Sequence, residues 1–267
     1  MYSTYSTPNE PFFLPSRVRS RLSGACGWLG REALTRNGTL FFLSRTRGTQ
    51  ESPLMGLIAP PRAVQTTCLW QLFHALFFLT GGIAFIFGTA CYYFPDWPES
   101  YLAGGVLYTI GSCGFLGVDV MELLTYTSNT ILSLNIFMSA TGSFLYVVGS
   151  IGFIPAVYES TEWNFVGFTP ATTGVYGFIA GSFFIGCSQF WKVGRIMTTT
   201  KDMTSVGVEL NPGLGAWCFF VGTLMYNNPY YLENYYGTIV NIWEVGSVLF
   251  TLGALFLTFR HFVMGVA

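Results

Sequence analysis

From residue 63 to residue 191 the chain contains no lysine and no arginine. Soluble domains carry charge on roughly a quarter of their residues. Here charged residues make up 9% of the chain, against 51% hydrophobic and 18% aromatic. A stretch of that kind is solvated by lipid. Residues 63–267 divide into six apolar segments, at about 66–93, 102–124, 131–154, 171–191, 213–228 and 239–260. Each is near the ~20 residues needed to cross a ~30 Å hydrocarbon core. The expected fold class is therefore all-α integral membrane, with six transmembrane helices. The fifth segment is the weakest, because Asn227, Asn228 and Pro229 close it early, which suits a short, tilted or partly re-entrant helix.

A glycine spacing recurs in every segment: Gly81 and Gly88, Gly104 and Gly111, Gly142 and Gly149, Gly174 and Gly181, Gly215 and Gly222, Gly246 and Gly253. Each second glycine is followed by a small residue: Thr89, Ser112, Ser150, Ser182, Thr223 or Ala254. Seven residues turn a helix through about 700°, so both glycines fall on one stripe ~10.5 Å apart. Such strips let helix backbones approach closely, which is how helices associate where apolar burial contributes little. The alternative, a pore lined by small residues, needs the strips to face a channel. Prolines follow the first arms at Pro95, Pro155 and Pro229. The second arm Gly104-Gly105-Val106-Leu107-Tyr108-Thr109-Ile110-Gly111-Ser112 matches Gly246-Ser247-Val248-Leu249-Phe250-Thr251-Leu252-Gly253-Ala254. These matches predict a tripled helical hairpin, with repeats at about 66–124, 131–191 and 213–260.

A two-helix unit with a glycine-small pair in each arm and an aromatic-rich turn, as in Tyr108-Thr109-Ile110-Gly111-Ser112-Cys113-Gly114-Phe115, resembles the YrhK-like membrane domain family. The resemblance covers roughly residues 66–260. It implies small hairpin-type membrane architecture and no particular reaction. The middle unit departs most, with a longer gap between Pro155 and Gly181 than between Pro95 and Gly111.

Charge orients the helices. Eight of the twelve basic residues lie before residue 63 and all eight are arginine, while the acidic linkers hold Asp96, Glu99, Glu159, Glu162 and Glu233 without a basic residue. Lys192, Arg195, Lys201 and Arg260 fall on the other side. The positive-inside rule then places both termini in the cytoplasm or a matrix-like compartment. Residues 1–62, with Arg17, Arg19, Arg21, Arg31 and Arg36 among Ser, Thr and Pro, read as a largely disordered basic tail on an anionic lipid surface. A removable organelle-targeting segment is the alternative. Aromatic residues in the acidic linkers (Trp97, Trp163, Tyr230, Tyr231, Tyr235, Tyr236) fit an interfacial belt.

Chemistry-bearing residues are few. His74, Asp119, Glu122 and Glu244 are the histidine and carboxylates within the apolar segments, where such groups are costly and functional by default. Asp119 and Glu122 read as an acidic pair near headgroups, with an ion or proton site as the alternative. Glu244 is the expected buried carboxylate. His74 suits an interhelical hydrogen bond better than haem ligation, because His261, the only other histidine, is expected at a different depth. The six cysteines show no C-x-x-C spacing and suit packing. No nucleophile with a base, phosphate loop or metalloprotease motif is present. The expectation is a non-enzymatic protein without cofactor, metal or nucleic-acid partner. It is a structural or accessory subunit, associating with other membrane subunits or with itself. The alternative is a small ion or solute transporter using Glu244 or Asp119 and Glu122.

Overall fold

A computed structural model describes residues 67–126, 130–159 and 169–264. The arginine-rich tail and the middle of the second acidic linker, with Glu162 and Trp163, lie outside the described residues. Within them the fold is helical throughout: α1 (Cys68–Cys91), α2 (Ser100–Thr125), α3 (Thr130–Gly152), the single turn α4 (Pro155–Tyr158), α5 (Pro170–Thr199), α6 (Met203–Tyr226) and α7 (Pro229–Phe262). Helix starts are set by side chains that satisfy the first free amides. Thr67 caps α1, Thr169 caps α5 and Asn228 caps α7, with Pro170 and Pro229 in the first turn.

Five of the long helices are apolar enough to cross a membrane: α1, α2, α3, α5 and α7. The sixth, α6, differs from expectation. It begins at Met203, ten residues before the expected 213, and its first half carries Glu209, Asn211 and Pro212. Asp202 starts it, accepting from the backbone of Thr204 and Ser205 and from the Ser205 hydroxyl. The Ser205 hydroxyl and these amides hold the Asp202 carboxyl below its ordinary range. A depressed carboxylate stabilises the fold above its unfolded pKa and loses that contribution as pH falls through the folded value. Hydrogen exchange at the Thr204 and Ser205 amides should therefore quicken as pH drops into the acid range, beyond the intrinsic exchange trend. Asp202→Ala should remove that dependence and loosen the helix start by about 1 kcal/mol.

The linker expected at 229–237 is also helical. It forms the start of α7, with a break at Tyr235, whose φ of −135° and ψ of 27° leave the helical region.

The long helices close into a ring in chain order, and every neighbour is antiparallel. Gly81 lies against Phe115 and Gly104 against Tyr92 in the α1–α2 pair, while Gly142 faces Gly181 and Gly149 faces Gly174 in the α3–α5 pair. Ser112 meets Ser150 between α2 and α3, Lys192 meets Glu209 between α5 and α6, and Thr89 meets Ser247 between α7 and α1. The third hairpin sits in a different register: Gly215 faces Gly246, and Gly253 lies against Pro212. That is one heptad away from the pairing of Gly81 with Gly111 in the first hairpin.

The glycine strips do pack helices, and what they admit is an aromatic ring. Phe85, Tyr108, Tyr146, Phe178, Phe219 and Phe250 each stand four residues after the first glycine of a pair, and all are buried. A side chain on Gly111 would strike Phe85, one on Gly181 would strike Tyr146, and one on Gly246 would strike Phe219. The six rings meet on the axis, with centroids 4.9 Å apart for Phe85–Tyr108, 4.8 Å for Tyr146–Phe178 and 5.2 Å for Phe85–Phe219. The small residues after the second glycines satisfy the polar edges of this core, as buried hydroxyls must. Thr89 bonds the Tyr108 phenol at 2.8 Å, Ser182 the Tyr146 phenol at 2.7 Å, and Thr223 the Trp243 indole at 3.3 Å.

Candidate functional site: a charged chamber at one end of the bundle

Antiparallel packing brings the start of α1, the end of α2, the start of α3, the end of α5, the start of α6 and the end of α7 to the same end of the ring. Each contributes a polar or charged side chain to one buried cluster. Glu122 on α2 stands at its centre. Its Oε2 accepts from Lys192 Nζ on α5 at 2.9 Å, and its Oε1 lies 3.4 Å from His74 Nε2 on α1. Lys192 also pairs with Glu209 on α6 at 3.6 Å. His74 Nδ1 and His261 Nε2 on α7 share a hydrogen bond of 3.1 Å. Asp119, one turn before Glu122, accepts from the Ser143 hydroxyl on α3 at 2.5 Å. Beside it Asn135 and Ser188 tie α3 to α5 through reciprocal bonds of 3.1 Å.

These groups surround a cavity of about 40 Å³, lined by His74, Asp119, Glu122, Gln189, Lys192 and Glu209 among others. Phe115 and Phe250 form its apolar floor. That volume holds about two or three water molecules. The charges inside are shielded from bulk solvent, Lys192 being 8% exposed and Asp119 5%. Arg260, on α7 next to His261, acts electrostatically on Glu209 and on Tyr126, just beyond α2. Chemically the arrangement can hold protons, water or a small polar solute. Among the described residues no group of three or more histidine, cysteine or acidic side chains is arranged to hold a metal ion.

Of the residues singled out in the sequence, His74, Asp119 and Glu122 come together here, and Glu244 does not. Glu244 sits elsewhere on α7, half-buried, with its Oε2 lacking a hydrogen-bond partner. Asp119 is a buried acceptor rather than half of a headgroup-facing pair. The expected separation in depth between His74 and His261 is corrected: one lies near the start of α1 and the other near the end of α7, and antiparallel packing levels them. Lys192, Glu209 and Gln189 do not stand out as site residues in the sequence. Lys192 and Glu209 lie in parts of α5 and α6 beyond the apolar segments. Reading them as helical required the cap at Asp202, visible as an Asp three residues before a Ser and ahead of an apolar run. No family model, no curated protein and no solved structure matches the chain.

Proposed function

We propose that the chain is a six-span, non-enzymatic membrane protein built as a tripled hairpin, and that it works as a small carrier whose binding site is the charged chamber. The observation that carries this is the convergence of ionisable or polar side chains from five of the six long helices on one water-sized cavity, with His261 of α7 bonded to His74 behind it. Buried charge costs stability even when paired, and within a membrane span it marks solute or proton pathways. The aromatic core that floors the chamber favours a site reached from one end over an open pore. By the positive-inside rule that end faces the cytoplasm or a matrix-like space, the side of the arginine-rich tail. The YrhK-like resemblance agrees with hairpin architecture and adds no cargo.

A structural or accessory role is the second possibility, favoured by the closed, glycine-packed ring. Reconstitution of the full chain into liposomes separates the two. Under an imposed pH gradient or membrane potential, a carrier gives solute or proton flux that Glu122→Gln abolishes. Glu244→Gln, outside the chamber, leaves that flux near the wild-type rate. Absence of flux together with a stoichiometric partner in native mass spectrometry would establish the accessory role instead.

A further inference from the structure

Two buried atoms in the chamber make no hydrogen bond: His74 Nε2, which stands 3.4 Å from Glu122 Oε1, and Gln189 Oε1. His74 is 3% exposed and Gln189 8%, and both line the cavity. An unpaired polar atom in a site closed to solvent is costly, so two of them around one cavity call for a hydrogen-bonding occupant there. The groups that face it are Asp119 and Glu122 on α2, Ser139 and Ser143 on α3, Lys192 on α5, Glu209 on α6 and His74 on α1. His261 stands behind His74, and Arg260 acts electrostatically on Glu209 and Tyr126. Three carboxyl groups, Asp119, Glu122 and Glu209, thus share the cavity with one lysine, Lys192.

We propose, resting on the carrier function above, that the cargo is the proton and that the His74–His261 pair is where it is taken up. A hydronium in the cavity gives its proton to the lone pair of His74 Nε2 and remains as water. The imidazolium donates Nδ1–H to His261 Nε2 across 3.1 Å. The Trp70 ring is stacked on His74 at a centroid distance of 4.5 Å. The proton then leaves Nε2 for Glu122 Oε1, the N–H bond breaking as the O–H bond forms, and both groups end neutral. Neutral Glu122 loosens its hold on Lys192, which has Glu209 3.6 Å away as its remaining partner. Gln189 Oε1 holds the water that feeds this step. Proton arrival is thereby coupled to a change of partner between α2 and α6.

The test uses the full-length protein in phosphatidylcholine–phosphatidylglycerol liposomes, with a pH dye inside and a potassium–valinomycin potential. Proton flux is expected, and His74→Gln should reduce it by roughly a hundredfold, the scale of a lost positioned proton-transfer group. Gln189→Leu, which removes the water acceptor but no charge, should reduce it less. Folding is checked independently through Trp70, whose fluorescence should be quenched as the neighbouring imidazole takes up a proton. That pH-dependent quench should be absent from Trp70→Phe and from His74→Gln. Wild-type proton flux in a folded His74→Gln variant overturns the proposal. So does wild-type transport of sodium, potassium or ammonium without protons, which leaves the carrier function standing. Absence of flux for every probe overturns both.

Discussion

Lys192→Met should unfold much of the purified protein in detergent at temperatures where the wild type is intact. Lys192 is the cation between Glu122 and Glu209, at 2.9 and 3.6 Å, in a site it shares with the buried Asp119. Removing one partner of a buried pair leaves charge that neither water nor protein compensates, a loss of about 3–5 kcal/mol. A typical domain has only about 5–15 kcal/mol in total. Melting curves and size-exclusion profiles measure the loss. The triple variant Lys192→Met, Glu122→Gln, Glu209→Gln should recover most of it, because amides remove the stranded charge. A single variant that melts with the wild type would show that the pairs contribute nothing to the fold.

Two glycine substitutions should have opposite signs. A Cβ on Gly114 would come within 2.6 Å of the Phe77 carbonyl oxygen and 3.0 Å of the Gly81 amide nitrogen. Both obstacles are backbone, so Gly114→Ala has to push α1 and α2 apart, at about 1–3 kcal/mol for an overpacked contact. Nothing lies within 4 Å of a Cβ on Gly194. Gly194→Ala gains helix propensity and should stabilise by up to about 1 kcal/mol. Paired melting curves with the wild type show whether glycine is kept for close approach or merely tolerated.

Much of the architecture can be read from the sequence because lipid leaves so few options. Apolar length finds α1, α2, α3, α5 and α7 to within a few residues at most ends, and heptad glycines mark the faces on which hairpins pack. Both devices fail where a helix leaves hydrocarbon. Lys192 and Arg195 look like a basic loop by composition, yet α5 runs through them to Thr199. Glu209 and Pro212 look like a boundary, yet α6 spans both. The aromatic core is legible too, since a ring four residues after each first glycine is as regular as the glycines themselves. The heptad shift in the third hairpin was not legible, because a seven-residue repeat matches itself equally well after a slip of seven. The chamber was half legible: Asp119, Glu122 and His74 stand out as ionisable groups in apolar surroundings. Their partners arrive from helices distant in sequence, and only the ring closure of α7 on α1 sets His261 against His74.

The six packed rings also determine where a membrane voltage would fall. Aromatic side chains polarise weakly, whereas the charged chamber, once opened to the solution at its end, follows the potential of that solution. Nearly the whole drop is then compressed into the ring layer. A charge entering the chamber does almost no electrical work. A charge passing the rings does all of it, about 2.3 kcal/mol per elementary charge for each 100 mV.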